Sequence, residues 1–231
     1  MEDPCGAEDP AAKYYSALLF DLDGTILDTR ALILASYHYA CDKVLKYRLP
    51  DEPLLELIGI PLTEQMKKLV PAEQVEAMVS AYREHNAIGQ TEYLDCFPNT
   101  HETLATFAEA GWPLALVTSK INSSAREGLE AFDLLRYFDL LIGFDDTEKH
   151  KPDPEPLLLA ASTLKISPEK CVYIGDSIYD MQAAKAAGML AIGALWGFST
   201  IDLLLEAGAD LVVSQTSMLP QALSFLQYEE A

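Results

Sequence analysis

Short, unbroken apolar runs alternate along much of the chain with longer stretches in which apolar residues recur every three or four positions. The run that begins at Ala17 stops at Asp21 and is followed by a Gly24-Thr25 turn, as expected of a strand buried on both faces. Comparable runs end at Thr118, Ile142 and Gly175, and weaker ones occupy residues 190–193 and 211–213. Helical spacing marks residues 102–109, 124–132, 156–164, 179–187 and 201–206. Strands alternating with helices of this length predict βαβ units. The expected fold is therefore α/β, a doubly wound, Rossmann-like parallel sheet with helices on both faces.

Residues 30–93 break that alternation. Apolar positions fall at helical spacing over residues 32–45, 63–69 and 73–85, with little strand signal, and Pro50, Pro53, Pro61 and Pro71 divide the stretch into a few helices. The pattern predicts a small helical cap domain, residues 30–93, inserted after the first strand. Residues 14–29 and 94–231 are left to form the α/β core. The two crossings between cap and core fall near Asp28 and residues 94–98, close enough to act as a hinge pair. Residues 1–13 carry two prolines, four acids and no periodicity, and read as a flexible tail.

Composition then narrows the partners. Sixteen Lys and Arg against 36 Asp and Glu give a formal net charge of −20. A surface this acidic repels phosphate backbones, so neither nucleic acid nor an anionic membrane is an expected partner. Half the residues are hydrophobic and 23% charged, enough to bury a core despite the charge. The residues before the first apolar run are acidic where a secretory signal is basic. Residues 189–198, the most apolar run, fall far short of the ~18 residues of a membrane span. Cys5, Cys41, Cys96 and Cys171 are scattered, with no CxxC pair for zinc or redox chemistry. A cytoplasmic monomer or homodimer is the expectation.

Candidate chemistry gathers at the ends of the predicted strands. Residues 17–20 deliver Asp21-Leu22-Asp23-Gly24-Thr25 at a carboxyl end, where ligands bind in open parallel sheets. Two carboxylates this close call for a cation, and Mg²⁺, which prefers oxygen ligands and substrate phosphate, suits them. The plainer reading is a turn at Asp23-Gly24 with Asp21 as a cap. DxDGT, however, arises by chance in a chain of this length only about twice in a thousand. A second acidic group, Gly175-Asp176-Ser177-Ile178-Tyr179-Asp180, also follows an apolar strand and opens a helix. Asp176 ends a strand able to neighbour the first, and Asp180 lies one helical turn later on the same face. Thr118, closing residues 114–117, offers its hydroxyl and the N–H groups of the next turn to an anion. Lys151 stands in His150-Lys151-Pro152-Asp153-Pro154, where the prolines stiffen the backbone. Singly, a strand-end threonine is more often a cap and a lysine beside proline more often solvated; the set gives both a function.

Together Asp21-Leu22-Asp23-Gly24-Thr25-Ile26-Leu27-Asp28, Val117-Thr118-Ser119, Lys151-Pro152-Asp153-Pro154 and Gly175 to Asp180 resemble the four motifs of the haloacid dehalogenase-like phosphohydrolases, in the right order, over residues 17 to about 213. The helical insertion resembles the small cap of the phosphoglycolate phosphatase branch. Ile58-Gly59-Ile60-Pro61-Leu62 looks like the cap loop that approaches substrate, and this loop, Tyr82-Arg83 and the Lys151 motif are similar to the pyrophosphatases of that branch.

The resemblance implies that Asp21 attacks phosphorus and forms an aspartyl-phosphate, while Asp23 protonates the leaving oxygen and then takes a proton from water. It implies Mg²⁺ held by Asp21, the backbone carbonyl of Asp23 and Asp176, with Asp180 bound directly or through water. Thr118 and Lys151 would bind phosphoryl oxygens. Ser119 and Gly59 would face substrate, and Arg83 and Lys67 are candidate cap contacts, although each alone fits an ordinary solvated helix charge. The dehalogenases themselves use no metal and lack the second acid, so Asp23 argues against that chemistry. The sequence departs from the commonest pattern at Ser119, where Asn is frequent, and at Thr29, where Ser is frequent. Asp28 reads as the cap of a helix from about Thr29. His38, His85, His101 and His150 show no ligand spacing.

The expected activity is thus Mg²⁺-dependent hydrolysis of a small phosphorylated metabolite, either a phosphoglycolate-like monoester or inorganic pyrophosphate. A phosphosugar mutase of the same fold shares Asp21, Asp23 and Asp176 and is the nearest rival. A non-catalytic phosphate-binding regulatory module is a third reading, disfavoured because every reacting group is present.

Overall fold

The computed structural model describes residues 14–229. The expected tail at residues 1–13 lies outside them. In chain order the elements are β1 (Ala17–Phe20), β2 (Leu27–Asp28), α1 (Arg30–Ala40), α2 (Asp51–Leu55), α3 (Leu62–Leu69), α4 (Ala72–Tyr93), β3 (Asp95–Cys96), α5 (Thr100–Glu109), β4 (Leu114–Val117), α6 (Asn122–Ala131), β5 (Leu140–Ile142), α7 (Glu155–Leu164), β6 (Cys171–Gly175), α8 (Ile178–Ala187), β7 (Leu190–Ala194), α9 (Ile201–Glu206), β8 (Leu211–Val213) and α10 (Leu219–Glu229).

Six strands form one sheet in the order β5-β4-β1-β6-β7-β8. Every pairing in it is parallel, with Leu18 beside Leu114 on one side and Val172 on the other. Because side chains alternate across a strand, each continuous apolar run feeds two cores. Leu18, Phe20, Leu116, Val172 and Ile174 pack with α5, α6 and α10, whereas Leu19, Val117 and Tyr173 pack with α7, α8 and α9. β1 lies between β4 and β6, so the chain leaves it in opposite directions on its two sides. That is the switch point at which an open sheet leaves a crevice beyond its strand ends.

Helices α1 to α4 build a separate apolar cluster around Ile33, Tyr37, Leu54, Met66 and Met78. Their segment leaves and rejoins the sheet through an antiparallel ribbon in which Leu27 pairs with Cys96 and Asp28 with Asp95. The single helix expected over residues 32–45 divides instead. α1 ends at Ala40, and Cys41–Leu45 widens into a π turn closed by the Lys46 N–H on Cys41 O at 3.0 Å. Lys46 adopts φ 66°, which stops any helix. α2 was hidden because Pro53 sits within its short span. Thr29 occupies the N-cap position of α1 but its side chain makes no capping hydrogen bond, while Asp28 Oδ1 accepts from Arg30 N–H at 3.3 Å, one residue from the expected arrangement. Among the described residues no helix is long and apolar enough to cross a membrane, and Cys41, Cys96 and Cys171 are free.

Candidate active site

The carboxyl ends of β1, β4 and β6 bring the candidate residues to one place. Asp21 follows β1, and its N–H donates to Ile174 O at 2.9 Å, extending the ladder to β6 by one residue. Gly24 then turns the chain at φ +84°, where a Cβ would stand 2.3 Å from Asp176 Oδ2. The turn therefore presses against the β6 acid and requires glycine. Thr25 Oγ1 donates to Asp176 Oδ1 at 3.2 Å, and Phe198 N–H donates to Asp176 Oδ2 at 2.8 Å. Gly197 permits that approach, since a Cβ there would lie 2.3 Å from Asp176 Cβ. Neither Gly197 nor Phe198 stood out in the sequence, where they follow β7 without a motif.

Lys151 is the buried centre of charge. Its Nζ donates to Asp21 Oδ1 and Asp180 Oδ1, both at 2.7 Å, and to the Tyr173 hydroxyl at 3.0 Å. Tyr173 OH lies 3.1 Å from both Asp180 Oδ1 and Val117 O. Burial alone would lower the Lys151 pKa, but Asp180 and Asp21 reverse this and hold the ammonium well above the ordinary lysine range. Burial pushes the Asp21 carboxyl up to about 7 against the opposing pull of Lys151, and burial reinforced by Asp180 and Asp21 raises Asp176 well above the carboxylate range. Tyr173 reads in the sequence as one more core residue of a strand. Its hydroxyl is missed because only the fold places it beside Lys151.

Oxygens of Asp21, Asp176 and Asp180, all buried, lie within 4.8 Å of one another. Three buried carboxylates against a single ammonium leave excess negative charge in a poorly solvated space, and an all-oxygen donor set suits a hard divalent cation such as Mg²⁺. The acids are not equivalent. Asp180 Oδ2 already accepts from Ser177 N–H at 3.0 Å and Ser177 Oγ at 2.6 Å, while its Oδ1 faces Lys151 and Tyr173. A carboxylate offers roughly four lone-pair sites, so these contacts occupy Asp180. Among the described residues, Asp21 commits only Oδ1 to such bonds. The geometry thus suits Asp21 and Asp176 as ligands and Asp180 as the residue that orients Lys151.

Asp23 stands apart from that cluster. Its Oδ1 accepts from Lys120 Nζ at 2.8 Å, with the two side chains 19% and 17% exposed at the cavity. Lys120 was not singled out from sequence; its only signal is its place two residues after Thr118. The turn after β4 is less open to an anion than expected, because Lys120 N–H donates to Thr118 Oγ1 at 3.2 Å. Ser119 Oγ donates to Gly59 O at 2.8 Å and so ties the loop at residues 58–62 to the sheet. Gly59, at φ +108°, is pressed on Ser177, where a Cβ would meet Oγ at 2.5 Å. Gln65 holds the same loop from the other side: its Nε2 donates to Ile60 O at 2.7 Å, and its Oε1 accepts from Tyr37 OH.

A cavity of about 280 Å³ runs from Asp21, Asp23 and Thr118 to the helices of residues 30–93. Ser119, Gly59 and Arg83 also line it. Lys67 does not; it is exposed and pairs with Glu64 at 2.6 Å, an ordinary helix-surface contact.

The chain is similar in sequence and fold to known proteins. The model of the family described as haloacid dehalogenase-like hydrolase matches residues 18–194. Pyrophosphatase PpaX of Bacillus velezensis is 36% identical over 208 residues, covering 87% of this chain and 96% of that protein. Pyrophosphatase PpaX of Halalkalibacterium halodurans is 37% identical over 174 residues, covering 75% and 80% respectively. Among solved structures, a hydrolase from Pseudomonas syringae is similar with a TM-score of 0.82 at 26% identity, covering 91% of this chain and 99% of its own.

Proposed function

This chain belongs to the haloacid dehalogenase-like hydrolase family, and from that premise we propose that it is a Mg²⁺-dependent phosphatase acting through a covalent phosphoryl group on Asp21. The observation that carries this reading is the meeting of Asp21, Asp176, Asp180 and Lys151 beside a cavity that also opens on Asp23. Asp21 attacks phosphorus through a carboxylate oxygen as the bond to the leaving oxygen breaks, and Asp23 gives that oxygen its proton. Water then attacks the phosphoryl group, returns a proton to Asp23 and frees Asp21 with release of orthophosphate. Lys151 orients Asp21 and offsets charge on the transferring group, and Lys120 fixes the Asp23 carboxyl at the cavity. Asp21, Asp176 and the backbone carbonyl of Asp23 would hold Mg²⁺, which when bound supplies electrostatic stabilisation of the phosphoryl oxygens. Residues 30–93 serve as the cap over this chemistry.

The substrate is a small phosphorylated metabolite, a phosphoglycolate-like monoester or inorganic pyrophosphate, the latter being what the PpaX relatives are named for. The test is phosphate release from a panel of small phosphoesters, sugar phosphates and pyrophosphate with and without Mg²⁺. Release from at least one of them, abolished by chelator, is expected. Equal activity in excess chelator overturns the metal assignment, and rearrangement of a sugar phosphate without phosphate release makes the protein a mutase.

A further inference from the structure

The cavity has two kinds of wall. At one end are the carboxylates, Thr118 and Lys120; elsewhere the lining includes Ile33, Ile58, Ile60, Leu62, Ile121 and Phe144. Ile33, Ile58 and Ile60 are only 5–6% exposed, so this is a built apolar surface and not a fringe of solvated side chains. Two cations line the space, and Lys120 is already paired with Asp23. Arg83 remains, on the exposed side of α4, with Glu127 also in the lining.

A leaving phosphate seated here would find one arginine and otherwise only uncharged amides and hydroxyls, such as Asn86 and Ser123, set among the apolar side chains. Charge taken from water without partners is costly, whereas an apolar group on the same wall is favoured. The volume points the same way: about 280 Å³ approaches the roughly 300 Å³ at which small-molecule sites begin, far more than a second phosphate fills. The loop that carries Ile58, Ile60 and Leu62 is held by Ser119 and Gln65 through its own carbonyls, so the wall is formed in advance of binding.

We propose that the leaving group is an organic alcohol with an apolar body, so that the substrate class is a hydrophobic phosphomonoester and not inorganic pyrophosphate. This rests on the phosphatase reading above and, for the same site, replaces the anionic leaving groups of phosphoglycolate and pyrophosphate with an apolar one. Each methylene moved from water to such a wall strengthens binding by about fourfold.

The test is titration calorimetry of the Mg²⁺-loaded enzyme with methyl-, butyl- and hexylphosphonate and with imidodiphosphate, a non-hydrolysable stand-in for pyrophosphate. The expected result is a Kd at least about tenfold lower for hexyl- than for methylphosphonate, with imidodiphosphate weaker than hexylphosphonate. Ile121→Ser should shrink the hexyl-to-methyl ratio by about threefold or more. Equal affinity for the three phosphonates, or imidodiphosphate binding more tightly than all of them, overturns the inference. Binding needs no turnover, so the two readings separate: a rising affinity with chain length in a protein that releases phosphate from no ester refutes the catalytic reading and supports this wall.

Discussion

The buried charges at the strand ends and the apolar wall of residues 30–93 are built by opposite means. Lys151, Asp21, Asp180 and Tyr173 come from separate elements and are linked by direct bonds that meet at Lys151. The wall is a set of aliphatic side chains whose loop is pinned to its surroundings through main-chain carbonyls. A charge cluster of the first kind tolerates almost no substitution, because removing one member strands the rest without a partner. An aliphatic wall accepts replacement of its side chains while the carbonyls keep the loop in place. On the proposed function, reaction and choice of substrate are therefore separable.

The severest challenge to that separation is Asp21→Asn. The amide is nearly the same size but too weak a nucleophile, so phosphate release should fall by at least about a thousandfold on every substrate alike, the scale on which nucleophile removal acts. Activity within tenfold of the parent would refute the covalent route. Rapid quenching and mass spectrometry of the parent enzyme should place any trapped phosphoryl group on the peptide containing Asp21.

Lys151→Met asks how far the charge cluster depends on its one ammonium. In metal-free buffer the variant should lose about 3–5 kcal/mol of stability, the cost of leaving buried carboxylates unpaired. Urea denaturation with and without Mg²⁺ checks this, and the divalent ion should recover more stability in the variant than in the parent. Equal recovery in both would mean that ion and lysine do not answer the same charge.

Asp176→Ala should act more mildly on the fold but raise the Mg²⁺ concentration for half-maximal activity by about tenfold or more, since few protein ligands usually hold this ion. An unchanged Mg²⁺ titration would remove Asp176 from the ligand set. The smallest effects should come from the other region. Ile60→Ala and Leu62→Ala should change kcat/KM by less than about tenfold for any one ester, yet reorder the substrates, because each deletes apolar surface worth about 1 kcal/mol to the bound ester. Uniform slowing of all substrates would make the loop a support for the fold and not a selector.

What could be read before folding follows the same division. β1 and its acids are legible because a run buried on both faces must be continuous, and because Asp21, Asp23, Gly24 and Thr25 are adjacent in sequence. The parallel order that unites Asp21, Thr118 and Asp176 follows from short strands alternating with helices. Lys120 and Tyr173 were illegible for a converse reason. Their importance depends on which distant residue the sheet sets opposite them, Asp23 in one case and Lys151 in the other. The π turn after α1 escaped because its residues keep helical spacing and only the backbone of Lys46 departs from it. Ser119 was legible as a site residue but not as the tie to Gly59, since a hydroxyl's partner 60 positions away leaves no local trace.

The ribbon of Leu27–Asp28 against Asp95–Cys96 also bears on how such a molecule could diversify. Paired residues across two antiparallel strands stand only about 4.5–5.5 Å apart, so everything between Asp28 and Asp95 departs from and returns to nearly one point. To the sheet, the whole helical segment is equivalent to a long hairpin loop. It can be exchanged, enlarged or cut back to a tight turn without altering the strand order, and a lineage can acquire a new substrate by recombination at this junction while its inherited reaction centre stays as it was.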